Sequence, residues 1–179
     1  MEKKKILVTG ATGFLGKNLI QSLLIKKTKI FVFVRNKSLF IKTLTSKEQK
    51  NNITIIEGDI TDFKKISRLI NSFSIQHIFH LAANNENRVL KSSPFQIINT
   101  NLIGSLSVME ASLNNDSIKT ITMISSKEVD RKNSQSLHKN ITHPYATSKY
   151  CTELQPHTYS PILIIQIFNI LIFCVLDQF

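Results

Sequence analysis

The sequence has no tryptophan, and only two of its 179 residues are cysteine. Cys151 and Cys174 form no CxxC pair, and the five histidines do not occur at the spacing of metal ligands. Neither a disulfide framework nor a metal site is therefore predicted. Two reduced thiols are typical of a cytoplasmic protein, which is the location that we expect.

Acidic residues are also scarce, since 12 Asp and Glu are outnumbered by 23 Lys and Arg and the net charge is +11. The lysines are scattered along the chain except for a triplet at 3–5. The sequence has no arginine-rich stripe and no basic run interleaved with aromatic residues, so nucleic acid is not predicted as a partner. A lysine-rich surface with a mild preference for anionic ligands is expected instead.

Long apolar runs are absent apart from 162–176, which Gln166 and Asn169 interrupt. A membrane-spanning helix needs roughly 20 apolar residues. The run is shorter than that and contains β-branched residues, so it predicts a buried strand with an apolar extension rather than a membrane anchor. No membrane partner is expected.

Short apolar runs alternate with segments of helical periodicity along the chain. Strands are predicted at 5–9, 29–34, 53–56, 77–81, 121–124 and 162–168, and helices at about 14–26, after an N-cap at Thr61, at about 94–113 and after Pro144. The last helix is predicted to stop near Leu154, because Pro156 and Pro161 follow. This alternation, with apolar and β-branched strands, predicts an α/β fold whose parallel sheet is covered on both faces.

Glycine is rare, yet three of the five glycines fall between the first strand and the first helix. Gly10 permits a tight turn, Gly13 lets the backbone approach a pyrophosphate, and Gly16 lets helix and strand pack closely. The start of the helix adds free N–H groups and a partial positive charge. We therefore expect a three-layer Rossmann fold with a doubly wound, mostly parallel sheet. The cofactor-binding residues expected in this loop are Gly10, Thr12, Gly13, Phe14, Leu15 and Gly16.

The end of the second strand indicates which dinucleotide is bound. A carboxylate there bonds the ribose hydroxyls of NAD, whereas an arginine can meet the 2′-phosphate of NADP. Arg35, Asn36 and Lys37 follow this strand, and no carboxylate does. The expected cofactor is NAD(P), with NADP slightly favoured through Arg35. A solvated loop charge is the alternative interpretation of Arg35.

Further motifs follow the glycine loop in a fixed order. They are TGxxGxxG at 9–16, GDxxD at 58–62, HLAA at 80–83, NxxG at 101–104, a serine-rich strand end at 124–126, YxxxK at 145–149 and an FN pair at 168–169. In this order the sequence resembles the extended short-chain dehydrogenase/reductase family, also called NAD-dependent epimerase/dehydratase. The resemblance covers about residues 4 to 170.

The resemblance implies cofactor contacts beyond the glycine loop. Asp59 and Ile60 would meet the adenine ring, and the segment after the fourth strand would line the cofactor. The implied cofactor residues outside the loop are Arg35, Asp59, Ile60, Leu81, Ala82, Ala83, Asn101, Tyr145, Lys149 and Phe168.

Tyr145 and Lys149 lie four positions apart, so a helix places them one turn apart on one face. A free tyrosine has a pKa of about 10, and a neighbouring ammonium lowers it. The resemblance implies that Tyr145 is the acid/base, that Lys149 lowers its pKa and bonds the nicotinamide ribose, and that Ser126 holds the substrate. The implied activity is NAD(P)-dependent hydride transfer on a nucleotide-sugar by an epimerase, dehydratase or reductase.

Two departures from the family pattern bear on that expectation. Gln166 stands where the family usually has an arginine, and the chain ends at Phe179. We therefore expect an NAD(P)-binding domain at 1–170 and an apolar tail at 171–179, with the family's substrate-binding C-terminal domain missing. The alternatives are a non-catalytic NAD(P)-binding module or an inactive truncated remnant. The resemblance also leaves a homodimer open as the assembly.

Overall fold

The computed structural model describes residues 3–26, 28–44, 52–85, 93–113, 115–126, 129, 143–159 and 165–168. Six strands are present in these ranges: β1 (Lys5–Thr9), β2 (Lys29–Val34), β3 (Ile53–Glu57), β4 (His77–His80), β5 (Thr120–Ile124) and β6 (Ile165–Phe168). The helices are α1 (Phe14–Ile25), α2 (Lys37–Ile41), α3 (Phe63–Phe73), α4 (Pro94–Ile98), a π-helical turn (Asn99–Ile103), α5 (Gly104–Leu113) and α6 (Pro144–Tyr159).

The strands form one parallel sheet in the order β3-β2-β1-β4-β5-β6. The chain builds outward from β1 in one direction and then returns to build outward from it in the other. The predicted doubly wound Rossmann sheet is therefore confirmed. In such a sheet the connections leave a crevice at the carboxyl ends of the two strands where the order reverses, which here are β1 and β4.

Two apolar cores cover the two faces of the sheet. Alternate residues of a strand point to opposite faces, so Leu7 joins one core while Ile6 and Val8 join the other. The first core packs against α3 and α5, and the second packs against α1 and α2. Helices on both faces, which the strand composition predicted, are thus confirmed.

Two local predictions were wrong. Asp62 rather than Thr61 caps α3, because its carboxylate accepts a hydrogen bond from the backbone N–H of Lys65 at 3.0 Å. The Thr61 hydroxyl donates instead to Asp59 at 2.7 Å. The helix after Pro144 does not stop near Leu154 but continues to Tyr159 with Pro156 inside it. A proline inside a helix removes one hydrogen bond and crowds the carbonyl four residues before it, but the burial of Thr152, Glu153 and Pro156 stabilises this part of the helix by packing.

The remaining element predictions differ from the structure only in detail or fall outside it. The predicted helix at 94–113 is helical throughout but contains the π-helical turn. Of the apolar run at 162–176, only β6 belongs to the described residues, and the predicted tail at 171–179 lies outside them. Within the described ranges, none of the helices is long and apolar enough to cross a membrane.

Candidate functional site

A cleft opens at the carboxyl ends of β1 and β4, where the sheet order reverses. Its volume is about 150 Å³ and it is open to solvent on one side. The lining comes from the glycine loop, the ends of β2 and β3, the segment after β4 and the π-helical turn. The lining residues are Gly10, Ala11, Thr12, Gly13, Phe33, Val34, Arg35, Gly58, Ile60, Leu81, Ala82, Ala83 and Thr100.

The glycine loop needs glycine at two positions for steric reasons. Gly10 has φ +69°, and a Cβ there would stand 2.5 Å from the backbone of Leu81. A Cβ at Gly16 would stand 2.4 Å from the carbonyl oxygen of Gly10. A Cβ at Gly13 would meet only that same oxygen, at 3.3 Å, a tight contact that a small shift of the neighbouring backbone relieves. The fold itself therefore restricts Gly10 and Gly16 to glycine much more strongly than Gly13.

The N-terminus of α1 is open to an anion. Gly13 is the N-cap, and the cap has no side-chain hydrogen bond. The first turn contains no acidic residue that would compensate the helix dipole. The first N–H groups of a helix lack intrahelical partners and carry partial positive charge. The loop therefore has the donors and the free space that a pyrophosphate group requires.

The other end of the cleft is lined by Arg35, Gly58 and Ile60. None of the lining residues is acidic, and Arg35 is the one cation among them. The exposed Asp59 carboxylate accepts hydrogen bonds from the backbone N–H of Thr61 at 2.9 Å and from its hydroxyl at 2.7 Å. These bonds lower the pKa of Asp59, and the charge of Arg35 adds a smaller effect in the same direction.

Buried hydrogen bonds connect the cleft wall to the helices behind it. The Ser105 hydroxyl donates to the Asn101 carbonyl at 2.6 Å, so it accepts from the Nε2–H of His80 at 3.0 Å. The Nδ1 of His80 therefore accepts from the Thr9 hydroxyl at 2.9 Å. That hydroxyl in turn accepts from the N–H of Ala82 at 3.1 Å. We call this series the His80 chain. It joins the ends of β1 and β4, the cleft wall and α5.

Burial keeps His80 neutral. Desolvation, with a contribution from the nearby Lys149 charge, lowers the pKa of His80 to about 3. The sequence indicated only that this histidine fits a strand position. Its partners lie up to 71 residues away along the chain, so no local pattern could reveal them.

Asn101 ties the cleft wall to α6. This side chain, which is only 2% exposed, accepts from the N–H of Asn84 at 2.6 Å and donates to the carbonyl of Asn84 at 3.1 Å. It also donates to the hydroxyl of Ser148 at 2.8 Å. Asn101 was expected to bind cofactor, but it is not among the residues that line the cleft. The structure places it behind the wall, in the π-helical turn Asn99–Ile103.

Tyr145 and Lys149 lie near the carboxyl end of β5. The Lys149 Nζ is 5.9 Å from the centroid of the Tyr145 ring, and it donates to the carbonyl of Ile124 at 2.8 Å. Burial lowers the pKa of Lys149 to about 8, and the charge of Glu153 partly opposes this effect. Ser126 follows β5 two residues after Ile124. The structure thus brings the Tyr–Lys pair to the strand end that carries Ser126.

The remaining predicted cofactor residues do not line the cleft. Phe14 is 71% exposed beside the loop, whereas Leu15 and Gly16 lie in the first turn of α1. Phe168 pairs with Ile124 in the register of β5 and β6. Among the residues that the structure describes, no three His, Cys, Asp or Glu side chains come together in a way that could hold a metal ion.

A doubly wound parallel sheet with a glycine loop at its switch point defines a Rossmann-fold protein. The family model described as GDP-mannose 4,6 dehydratase matches residues 7–173. The chain therefore belongs to the NAD-dependent epimerase/dehydratase family of extended short-chain dehydrogenases/reductases, as its motifs predicted.

Individual relatives agree with the family. A UDP-glucuronate 4-epimerase of Thermodesulfobacterium geofontis is 26% identical over 164 residues, which cover 86% of this chain and 50% of the relative. The structure of a UDP-glucose 4-epimerase of Thermotoga maritima with UDP-glucose aligns with a TM-score of 0.75 at 24% identity, covering 92% of this chain and 54% of that one.

The structure of the Bordetella bronchiseptica enzyme WbmG in complex with NAD aligns with a TM-score of 0.74 at 22% identity. The alignment covers 94% of this chain and 53% of that one. At such identities the structural likenesses establish the fold. The chain spans about half the length of the proteins that it matches.

Proposed function

We propose that this chain binds NAD(P) in the cleft between β1 and β4 and serves hydride transfer on a nucleotide-sugar, as an epimerase, dehydratase or reductase. The observation that carries the proposal is the position of the Tyr145–Lys149 pair. It lies at the same carboxyl edge of the sheet as the glycine loop, and Lys149 is bonded to the end of β5. A dinucleotide spanning this edge would have its phosphates at one place and its reactive ring at the other.

The residues present fit the dinucleotide. The free N–H groups after Gly13 would hold the pyrophosphate, and Ile60 would pack against the adenine. Leu81, Ala82 and Ala83 would line the middle of the cleft. When bound, NAD(P) supplies the hydride acceptor and donor that the protein's own side chains lack.

The side chains of this chain would supply proton transfer and orientation. Tyr145 would take the proton from the substrate hydroxyl in oxidation and return it in reduction. Lys149, whose ammonium lies near the Tyr145 ring, would stabilise the phenolate and hold the nicotinamide ribose. Ser126 would hold the substrate oxygen in line. An epimerase and a dehydratase would begin with the oxidation, whereas a reductase would use the same side chains in the direction of reduction.

Arg35 supports a preference for NADP over NAD. It lines the cleft at the end of β2, where NAD-binding Rossmann proteins use a carboxylate, and no lining residue of the described chain is acidic. The guanidinium could form a bidentate pair with a 2′-phosphate.

A homodimer through α4 and α6 is part of the proposal. These helices pack together with the π-helical turn, and each of the three elements carries an exposed apolar side chain: Phe95 on α4 (77% exposed), Ile103 in the turn (42%) and Leu154 on α6 (44%). Sedimentation velocity should give the mass of two chains, and a purely monomeric protein at micromolar concentration would contradict this part.

Two measurements test the proposal. Calorimetry with NAD⁺ and NADP⁺ should detect binding of one dinucleotide per chain. The holoprotein incubated with UDP-, GDP- and dTDP-sugars should then epimerise, dehydrate or reduce at least one of them. Folded protein that binds neither dinucleotide would refute the proposal.

Tyr145→Phe separates catalysis from binding. It removes only the hydroxyl, so it should keep the dinucleotide affinity and lose at least about a hundredfold of the turnover rate. Equal turnover by this variant and the natural chain would exclude Tyr145 as the acid/base.

A further inference from the structure

Glu153 is a buried carboxylate that the proposed reaction leaves without a role. It lies on α6 one turn after Lys149 and is only 6% exposed. A buried carboxylate costs several kcal/mol of desolvation unless hydrogen bonds or an opposite charge compensate it. The contacts of Glu153 therefore show which interactions compensate its desolvation.

Glu153 contacts the end of β5. Its Oε1 accepts a hydrogen bond from the hydroxyl of Ser125, which is itself buried. Ser125 lies between Ile124, whose carbonyl accepts from Lys149, and Ser126. Two side chains from successive turns of α6 thus hold successive residues at the end of one strand.

We propose that Glu153 is a positioning residue that fixes the end of β5, and with it Ser126, against α6 while holding Lys149 as an ammonium. The role given to Ser126 and Lys149 rests on the proposed function. The contact that fixes the end of β5 and the effect of Glu153 on the charge of Lys149 do not depend on the proposed function.

The charges around Lys149 are consistent with this role. Glu153 is the opposite charge that acts on it, and it raises a pKa that burial lowers. The other titratable groups that face Lys149 in the described chain are Tyr145 on its own helix and His80 on β4. His80 is neutral near pH 7, because burial lowers its pKa to about 3. Among these described groups, Glu153 is therefore the one whose charge raises the pKa of Lys149.

Two substitutions separate the two parts of the role. Glu153→Gln keeps an oxygen that can accept from Ser125 but removes the charge. Ser125→Ala removes the hydrogen bond and keeps the charge near Lys149. Glu110→Gln on α5 is the matched control, because Glu110 is exposed and lies outside this cluster.

The first readout is independent of any activity. In ¹³C-lysine NMR, the resonance that Lys149→Arg removes should titrate near pH 8 in the natural chain. It should titrate about one unit lower in Glu153→Gln and be unchanged in Glu110→Gln. An unchanged Lys149 titration in folded Glu153→Gln would overturn the proposal. If Glu153→Gln does not fold, Glu153→Asp is measured in its place. Because Glu153→Asp keeps the negative charge, Lys149 should titrate near pH 8 in this variant. A titration about one unit lower would refute the charge role.

The second readout uses turnover, if the proposed function holds. At pH 8 a one-unit fall in the pKa of Lys149 lowers its protonated fraction about fivefold, so kcat of Glu153→Gln should fall about fivefold there and recover toward pH 6. The KM for substrate should change little. In Ser125→Ala, kcat should fall by a similar factor at every pH, because Ser126 is displaced. A kcat of Glu153→Gln that is reduced equally at every pH would refute the charge role. Inactivity of the natural chain would refute the proposed function and leave the NMR result valid.

Discussion

Gly13 and Gly16 should respond to alanine in opposite ways, although they lie three residues apart in one loop. At Gly13 the added methyl meets only the Gly10 carbonyl oxygen, at 3.3 Å, and the backbone (φ −75°, ψ 171°) suits any residue. Gly13→Ala should therefore cost about 1 kcal/mol of folding stability or less, the difference between glycine and alanine at an N-cap. The methyl would, however, project where the pyrophosphate must approach the backbone.

Gly16→Ala presents the reverse case. Its methyl would stand 2.4 Å from the Gly10 carbonyl oxygen and 2.7 Å from the Cα of Ala11, both of which are backbone atoms. Alanine is about 1 kcal/mol better than glycine within a helix, but overpacking against backbone costs about 1–3 kcal/mol or more. Contacts this short place the overpacking cost of Gly16→Ala at about 3 kcal/mol, so the net loss of folding stability is about 2 kcal/mol. For a chain of this size that lowers Tm by about 4–8 °C.

Thermal melting and calorimetry on both variants check this pair. Gly13→Ala should melt within a few degrees of the natural chain and lose at least about tenfold of its dinucleotide affinity. Gly16→Ala should melt lower and keep most of its affinity while folded. If Gly13→Ala binds as tightly as the natural chain, the pyrophosphate does not lie on this loop.

Three further predictions concern pH and cofactor choice. The pKa of His80 is lowered to about 3, so between pH 6.5 and 3 the unfolded chain binds a proton that the folded chain does not. The free energy of unfolding should therefore fall by about 5 kcal/mol as pH decreases through that window. Denaturant titrations of His80→Asn should not show this dependence. The pKa of Lys149 is lowered from 10.5 to about 8, so between these pH values the unfolded chain binds a proton that the folded chain does not. The free energy of unfolding should therefore rise by about 3 kcal/mol between pH 8 and 10.5, and this rise should be absent in Lys149→Met. Arg35→Ala should weaken NADP⁺ binding about tenfold and leave NAD⁺ binding nearly unchanged, and equal losses for both in calorimetry would contradict a 2′-phosphate contact.

The sheet and the cleft could be predicted because their signals are local. The apolar strands and the loop from Gly10 to Gly16 are short segments whose spacing alone dictates their conformation, and the structure places Gly10 and Gly13 on the cleft wall. The Tyr145–Lys149 pair is likewise set by the period of one helix.

The rest depends on contacts between distant segments. The Ser125–Glu153 bond joins residues 28 positions apart, and the His80 chain spans β1, β4 and α5. Asn101 was recognised as a site residue, but its partners Asn84 and Ser148 are known only from the packed structure. The N-cap at Asp62 was missed because the Thr61 hydroxyl donates to Asp59 in an Asx-turn, which the N-cap preference of threonine alone does not reveal.

The central claim is that the cleft between β1 and β4 holds a dinucleotide. Titration of ¹⁵N-labelled protein with NAD⁺ or NADP⁺, followed by amide chemical shifts, tests it most directly. The amides of Gly10, Gly13 and Ala82 should shift and saturate together, and those of Lys4 and Lys119 at the opposite edge of the sheet should not. Shifts confined to other surfaces, or no shifts at millimolar dinucleotide in folded protein, would contradict the claim.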